Sequence, residues 1–328
     1  MAKKLRIGFI GTGGMANVHY PRLMATKKAE VTALTDPDPE AFKRFHERNA
    51  GTDGLPKYKT YEEMLANEEL DGVAILSPHT VHYEQIRTCL EKGLHVQTEK
   101  PMVCKIEHAK DLIARVKKAQ RVLMIGYQRH YQAEFRYMRD QIKSGALGEV
   151  QFVQAIQAQE WLRATAKTWR QELKMSGGGQ LNDSGSHLID IVMWVTGLKV
   201  AEVFAKSENF KGEVDINTTV AMNFENGALG SMSVIGNAPS WYEDVTIVGA
   251  KGAFYLRQGL GLIHVDAVGK PIEVKLPTGF PSDPDADFVD CVLNGTTPQT
   301  PPECGLRTIE VTEAAWQSAA SGKPVRVP

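Results

Sequence analysis

Short apolar runs alternate with longer stretches of helical periodicity over the first 125 residues. The apolar runs are rich in β-branched residues and predict strands at 5–10, 31–35, 73–76, 95–98 and 122–125. The stretches between them predict helices at 15–25, 39–48, 81–92 and 106–118. Each run is nearly continuous in its hydrophobicity, as expected of strands buried on both faces. The pattern therefore predicts a doubly wound α/β domain, residues 1–125, built on a parallel sheet.

The pattern changes after Gly126. Residues 150–157 alternate between apolar and polar side chains, which predicts a strand with one covered face, and 203–274 is rich in strands separated by turns such as Asn226-Gly227. Further helices are predicted at 184–196, 286–293 and 306–320. We therefore expect a second, α+β domain over residues 126–328, with an open and mostly antiparallel sheet. An open sheet leaves a face that self-association often covers, so this domain is expected to mediate assembly as well as to bind the substrate.

Composition narrows the class of protein. The chain has 328 residues, of which 42% are hydrophobic and 23% are charged, which fits two globular domains. A net charge of −1 argues against nucleic acid or an anionic membrane as a partner. Four scattered cysteines without a C-x-x-C pair predict reduced thiols in a cytoplasmic protein. The N-terminus lacks the apolar core of a signal peptide, and no run approaches the roughly 18 apolar residues of a membrane-spanning helix.

A glycine turn joins the first strand to the first helix. Gly11, Gly13 and Ala16 form a G-x-G-x-x-A motif, in which glycines allow a pyrophosphate to approach the backbone and the helix N-terminus supplies N–H groups. Asp36 ends the second strand, where a carboxylate accepts hydrogen bonds from the adenosine ribose hydroxyls. The motif predicts a dinucleotide cofactor. The other turn residues expected to contact it are Thr12, Gly14 and Met15.

Asp36 also indicates which dinucleotide is bound. Its carboxylate would repel the 2′-phosphate of NADP, and Pro37 follows it in place of an arginine that could pair with that phosphate. We therefore expect NAD to be preferred. The alternative is that Asp36 only begins the turn at 36–39 and caps the next helix, which Asp38 could do equally well.

A second glycine run, 177–179, precedes Asp183 and His187. The spacing of four places both side chains on one face of the predicted helix, and the glycines would let that helix begin close to the cofactor. Lys100 is followed by Pro101, which biases the lysine backbone towards an extended turn. Hydride transfer from a C–H bond yields a carbonyl only if a base takes the hydroxyl proton, and these residue types can move that proton.

Plainer interpretations of these residues exist. An isolated Asp-x-x-x-His is usually a surface pair, and an isolated Lys-Pro is usually a loop. Asp183 and His187, like His79 and His82, could also be metal ligands. No third His, Cys or carboxylate stands at ligand spacing beside them, so we predict no metal.

Five segments in order resemble the GFO/IDH/MocA oxidoreductase family, named after glucose–fructose oxidoreductase, inositol dehydrogenase and MocA. They are S-P-H-T-V-H at 77–82, G-L-H-V-Q-T-E-K-P at 93–101, G-Y-Q-R at 126–129, G-G-Q-L-N-D-S-G-S-H-L-I-D at 178–190 and the closing segment 287–325. The resemblance covers nearly the whole chain. It implies an NAD(P)-dependent dehydrogenase that acts on a CH–OH group of a sugar, polyol, cyclitol or glycoside, and it implies a homodimer or homotetramer.

The resemblance also implies roles for individual residues. His187 would be the proton-transfer base, Asp183 would orient it or bind a neighbouring hydroxyl, and Lys100 would stabilise developing alkoxide charge. The residues implied to contact the cofactor are Ser77, Pro78, His79, His82, Glu99 at the nicotinamide ribose, Lys100, Gln128 or Arg129, Trp169 and Arg170.

A few positions are less certain in role or depart from the family pattern. Trp161 and Arg163 would contact substrate, or else serve as a structural residue and a surface residue respectively. His79 replaces the usual Asn or Asp of its loop, which bears on the cofactor contact there. Other departures that bear on substrate identity are His130, Tyr131, Asn182 and Ser186.

Two alternative functions share this scaffold. One is an enzyme that retains NAD and oxidises its substrate only transiently, such as a glycosidase or an epimerase. The other is a non-catalytic regulator that binds a dinucleotide, which predicts loss of the proton-transfer groups. Lys100, Asp183 and His187 are all present, which favours an enzyme.

Overall fold

The computed structural model describes residues 4–328 and divides into two compact units. The first comprises the chain up to residue 103 with 107–128 and 281–305, and the second comprises 104–106, 129–280 and 306–328. The sequence-based division at residue 125 differs from this because 281–305 belongs with the first unit. The prediction that the chain has no signal peptide concerns its N-terminus. Residues Met1–Lys3 of this segment lie outside the described residues.

The first unit contains a six-stranded sheet. Its strands are β1 (Leu5–Ile10), β2 (Ala29–Thr35), β3 (Lys57–Tyr58), β4 (Gly72–Ile75), β5 (His95–Thr98) and β6 (Leu123–Ile125). They are all parallel, in the order β3-β2-β1-β4-β5-β6. This is the order of dinucleotide-binding folds, whose ligand lies at the carboxyl ends of the strands. The predicted parallel α/β sheet is confirmed.

The second unit contains a nine-stranded sheet. Its strands are β7 (Val150–Glu160), β8 (Val200–Glu208), β9 (Asn217–Phe224), β10 (Leu229–Ile235), β11 (Asn237–Gly249), β12 (Gly252–Arg257), β13 (Gly261–Asp266), β14 (Pro271–Ile272) and β15 (Val325–Arg326). The order is β14-β13-β12-β11-β7-β10-β9-β8-β15, and β7 with β10 is the parallel pair among otherwise antiparallel neighbours. The predicted open, mostly antiparallel sheet is confirmed.

The described chain contains ten α-helices. They are α1 (Ala16–Ala25), α2 (Pro39–Arg48), α3 (Tyr61–Asn67), α4 (His82–Glu91), α5 (Ile106–Ala119), α6 (Ala133–Lys143), α7 (Leu173–Ser176), α8 (Gly185–Thr196), α9 (Pro284–Asn294) and α10 (Pro302–Ser321). Local chemistry sets several starts: Asp38 caps α2 ahead of Pro39, and Thr60 with Glu63 forms a capping box on α3. No helix within residues 4–328 has the length and apolar character needed to cross a bilayer.

Each unit has its own core. In the first, Phe9 and Phe45 pack with Phe288 of α9, which explains why 281–305 belongs to this unit. In the second, one face of the sheet is covered by helices that contribute residues such as Leu188 and Ile191. The other face keeps exposed side chains, including Phe152, Phe204 and Leu229. The four cysteines are free thiols.

Candidate active site

The glycine turn leaves room for a ligand at the end of β1. Gly11 has a φ of +100°, and a Cβ there would lie 2.9 Å from the backbone carbonyl of Leu76, so a side chain is excluded. At Gly13 and Gly14 a Cβ would meet no heavy atom within 4 Å. Helix α1 begins directly after the turn, at Ala16. An open backbone turn at a helix N-terminus fits a pyrophosphate.

Asp36 connects the end of β2 to this turn. Its Oδ2 accepts hydrogen bonds from the Thr12 backbone N–H (2.8 Å) and from the Thr12 hydroxyl (3.1 Å). Its Oδ1 accepts one from the N–H of Asp38 (3.0 Å), whose own carboxylate caps α2 by accepting from Glu40. Asp38 therefore does the capping, and Asp36 is held against the glycine turn.

His82 joins two loops that follow adjacent strands. Its ring is fully buried, with Nδ1 2.9 Å from the Pro101 carbonyl oxygen and Nε2 2.9 Å from the Ser77 carbonyl oxygen. Burial lowers the pKa of His82, although the two carbonyls favour the protonated form. The Ser77 hydroxyl donates to Gln85 (2.5 Å). The geometry thus gives His82 a part in holding the Lys100–Pro101 turn, whose peptide bond is cis.

Pro78 and His79 complete the loop after β4. Pro78 is half-buried, whereas His79 is buried and begins a 3₁₀ turn, His79–Val81. The His79 and His82 rings meet edge to face, with 5.9 Å between their centroids. The loop is therefore packed around its two histidines.

The residue before Lys100 belongs to a buried charge cluster that sequence reasoning missed. Glu99 Oε1 lies 3.0 Å from His19 Nε2, and His19 Nδ1 lies 2.7 Å from Asp285 Oδ1. Burial disfavours the imidazolium, but Asp285 and Glu99 outweigh it and raise the pKa of His19 to about 10. Burial also acts to raise the pKa of Glu99, yet the hydrogen bond and charge of His19 hold it below its ordinary value. The available signal was a histidine on the same helix face as Ala16 and Leu23, which are core residues.

Asp183 is fixed by two donors in the second unit. Its Oδ2 accepts hydrogen bonds from the Trp161 indole Nε1 (2.9 Å) and the Arg170 Nε (3.2 Å). Asp183 is buried, and its backbone N–H donates to the Gly179 carbonyl (3.0 Å). Trp161, also buried, thus has the structural role that was one of its two interpretations.

The prediction that Asp183 lies on the same helix as His187 is wrong. Helix α8 begins at Gly185, and Asp183 lies in the turn before it, while half-buried His187 lies in the first turn of the helix. The turn runs directly into the helix, so sequence periodicity did not separate them. Asp183 is therefore oriented by Trp161 and Arg170.

The second glycine run is required by packing within its own unit. A Cβ at Gly178 would collide with the Trp316 ring, and one at Gly179 would collide with the Asp215 backbone. The Asp215 carboxylate accepts hydrogen bonds from the Gly179 N–H (3.1 Å), the Leu181 N–H (2.8 Å) and the Trp316 indole (2.9 Å). Burial raises the pKa of Asp215 despite these bonds. This packing accounts for Gly178 and Gly179, and the approach of the helix to the cofactor stays a prediction.

The remaining predicted residues have different surroundings. Trp169 and Arg170 lie in a 3₁₀ turn, with the Arg170 guanidinium 4.5 Å from the centre of the Trp169 ring. Gln128 is exposed, whereas its neighbour Arg129 is buried and donates to Gln157 (2.7 Å) and to the Glu243 carboxylate. Arg163 is exposed and pairs with Glu160, which is the surface role that was its alternative.

Family models match both halves of the chain. The GFO_IDH_MocA model, described as "Oxidoreductase family, NAD-binding Rossmann fold", matches residues 5–127, and the GFO/IDH/MocA C-terminal domain matches residues 135–255. The chain belongs to the GFO/IDH/MocA family. This family membership makes the protein an NAD-binding oxidoreductase, and the open glycine turn and Asp36 fit that cofactor.

Relatives within the GFO/IDH/MocA family share moderate identity. The rhizopine catabolism protein MocA of Rhizobium meliloti is 30% identical over 59% of this chain and 58% of its own length. The myo-inositol 2-dehydrogenase of Thermotoga maritima is 26% identical over 76% of this chain and 75% of its own. The crystal structure of aldose-aldose oxidoreductase from Caulobacter crescentus, complexed with glycerol, is 25% identical. It covers 99% of this chain and 100% of that one, with a TM-score of 0.85.

Proposed function

We propose that this protein oxidises a secondary hydroxyl of a sugar, polyol, cyclitol or glycoside and transfers the hydride to NAD. The observation that carries the proposal is the buried Asp183 carboxylate, which Trp161 and Arg170 hold in the turn before the helix of His187. The relatives that act on myo-inositol and on aldoses support the class of substrate. A buried carboxylate and a half-buried imidazole four residues apart are the residue types that acid–base chemistry on a hydroxyl requires.

Three side chains would manage the proton and the charge on oxygen. His187 takes the hydroxyl proton, Asp183 orients the imidazole or binds an adjacent hydroxyl, and Lys100 donates to the oxygen on which negative charge develops. His82 holds the Lys100 turn by its contact with the Pro101 carbonyl. The nicotinamide of NAD, when bound, supplies the hydride acceptor.

The cofactor would be held at the carboxyl ends of the parallel strands. The turn residues Gly11, Thr12, Gly13, Gly14 and Met15 would bind the pyrophosphate, and Asp36 the adenosine ribose. We further assign to the cofactor site Ser77, Pro78, His79, His82, Glu99, Lys100, Gln128, Trp169 and Arg170.

The function is tested by following NADH formation at 340 nm with NAD and a panel of polyols, cyclitols, aldoses and glycosides. Steady turnover on any member is expected. A single burst equal to the enzyme concentration would instead support the enzyme class that retains its cofactor. If no member of the panel gives NADH although the protein binds NAD, the proposed dehydrogenase activity is contradicted.

The preference for NAD is expected to weaken in the double variant Asp36→Ser/Pro37→Arg. The change removes the carboxylate that repels the 2′-phosphate and adds a guanidinium that pairs with it, which shifts the NADP-to-NAD affinity ratio by about tenfold to a hundredfold. Titration with both dinucleotides measures the ratio. Pro37→Arg alone, which keeps the carboxylate, is the control. An unchanged ratio in the double variant would mean that Asp36 serves only the turn.

We also propose that the open face of the second sheet is covered by another copy of the chain. Exposed Phe152 and Leu229 are paired across neighbouring strands on this sheet. Light scattering at micromolar concentration is expected to give the mass of a dimer or a tetramer. A mass of 36.2 kDa, that of one chain, would contradict this assembly.

A further inference from the structure

The first unit buries a chain of three ionisable groups, of which the proposed function uses only Glu99. His19 of α1 is 1% exposed, Asp285 of α9 is fully buried, and Glu99 after β5 is 8% exposed. The imidazole lies between the carboxylates, 2.7 Å from Asp285 and 3.0 Å from Glu99. Burying a charge raises the free energy of the folded state unless the charge is paired. Three buried ionisable groups in contact therefore indicate a specific role.

The arrangement holds His19 in its doubly protonated form. Both ring nitrogens face carboxylate oxygens, and only the imidazolium can donate to both. Asp285 Oδ1 also accepts a hydrogen bond from the Gln97 amide (3.0 Å), and its Oδ2 lies 4.0 Å from the Arg22 guanidinium. Asp285 lies in the first turn of α9, where the helix dipole stabilises an anion. Glu99 therefore faces the His19 imidazolium, whose position is fixed on its other side by Asp285.

The strand order places Glu99 on the nicotinamide side of the cofactor. The carboxyl ends of parallel β1, β4 and β5 lie next to one another, and Glu99 directly follows β5. Asp36 directly follows β2, on the other side of β1. Because the two halves of a dinucleotide lie on the two halves of such a sheet, adenosine belongs above β2 and nicotinamide above β4 and β5. A Cβ at Gly126 would lie 2.7 Å from Glu99 Oε1 and would displace this carboxylate.

We propose that His19 is a positioning residue for the nicotinamide half of NAD. It holds the Glu99 carboxylate ionised and in one orientation, so that Glu99 accepts hydrogen bonds from the nicotinamide ribose hydroxyls. This inference rests on the proposed function, from which it takes the contact of Glu99 with that ribose. An ionised acceptor forms stronger hydrogen bonds than a neutral one. The arrangement of Asp285 and His19 behind Glu99, here called the clamp, therefore contributes to NAD affinity. It also fixes the residue that directly precedes Lys100.

The clamp has a consequence for pH dependence. The groups that face Glu99 are His19 on α1, His82 on α4 and its neighbour Lys100, and those that face His19 from behind are Asp285 and Gln97. With a pKa of about 10, His19 remains charged through neutrality in the native protein. Without it, burial dominates and raises the pKa of Glu99, so protonation on lowering the pH would remove the acceptor for the ribose.

The test compares NAD with ADP in binding titrations of the full chain. His19→Gln is expected to weaken NAD binding about tenfold or more, and ADP binding by less than about twofold, because ADP lacks the nicotinamide ribose. The NAD affinity of the variant is also expected to fall as the pH is lowered below neutrality, whereas that of the native protein is not. His46→Gln, which removes a half-buried imidazole bonded to Thr52, is the matched control.

Equal losses for NAD and ADP would overturn the inference, since they would show a general disturbance of α1 and the glycine turn. Unchanged NAD binding would also overturn it. Neither binding result depends on a substrate. If no member of the substrate panel is oxidised, the proposed dehydrogenase activity is contradicted, but the effect of His19 on NAD binding can still be measured. Native protein without NAD affinity would overturn both.

A second variant keeps the inference testable if His19→Gln does not fold. Asp285→Asn preserves shape but removes the charge that contributes most to raising the pKa of His19. NAD affinity is then expected to fall as the pH rises above neutrality, because His19 loses its proton at lower pH than in the native protein and Glu99 loses the charged donor that orients it. The control is Asp290→Asn, which removes a half-buried carboxylate that lies on α9, like Asp285, and pairs with Lys28. A pH profile identical to that of the native protein would overturn the inference.

Discussion

Replacing His187 with alanine is expected to lower kcat about 10²–10⁴-fold while leaving NAD affinity nearly intact. The imidazole takes the hydroxyl proton in the step that transfers hydride, so its loss raises the barrier to that step and not the free energy of cofactor binding. Steady-state NADH formation gives kcat, and a separate titration gives the dissociation constant of NAD. Added imidazole is expected to restore part of the rate, because it can occupy the vacated volume and take the proton.

The matched control for this variant is His46→Ala. His46 is half-buried like His187, and its ring is bonded to the Thr52 hydroxyl on the first unit. Its replacement is expected to leave kcat within about twofold, as for sites away from the chemistry. Unchanged turnover in His187→Ala would contradict the assignment of His187 as the base.

Replacing Lys100 with alanine is expected to lower kcat about 10²–10³-fold, the usual cost of removing one donor to a developing oxyanion. The ammonium stabilises the negative charge that appears on the substrate oxygen as its proton leaves. Since that charge is small in the ground state, the loss falls mainly on kcat and less on KM. The measurement is the same NADH assay over a range of substrate concentrations.

Lys105→Ala supplies the control, because Lys105 is an exposed lysine five residues further along the chain. It tests whether a loss of positive charge alone changes the rate. A variant at Lys100 that raised KM and kept kcat would show that the lysine binds substrate without acting on the transition state.

The parts of the fold that could be predicted are those with strong local patterns. Strand β1 falls at its predicted residues because its apolar run is interrupted by only a single charged residue, Arg6. Strand β5, with the sequence HVQT, also falls at its predicted residues because it lies between two predicted helices. The short strand β3 and helix α3 were not predicted, since β3 has two residues and little hydrophobicity. The capping box of Thr60 and Glu63 was a readable signal for α3.

The candidate site was predictable where residues act through sequence motifs. The glycine turn and Asp36 are joined in the structure by Thr12, as expected of neighbours in one motif. By contrast, His19 and Asp285 are 266 residues apart and meet because α9 returns to the first unit. The packing of Asp183 against Trp161 likewise depends on tertiary structure, as does the steric need for glycine beside Trp316. Such contacts cannot be predicted from the spacing of residues along the chain.

The measurement that tests hydride transfer most directly uses a substrate from the panel with deuterium on its carbinol carbon. We expect NMR of the reduced cofactor to show this deuterium at C4 of the nicotinamide, and we expect turnover to slow relative to the unlabelled substrate. Product formation with no deuterium in the cofactor pool would contradict the account, because the hydrogen would then leave the carbon by a route that does not involve NAD.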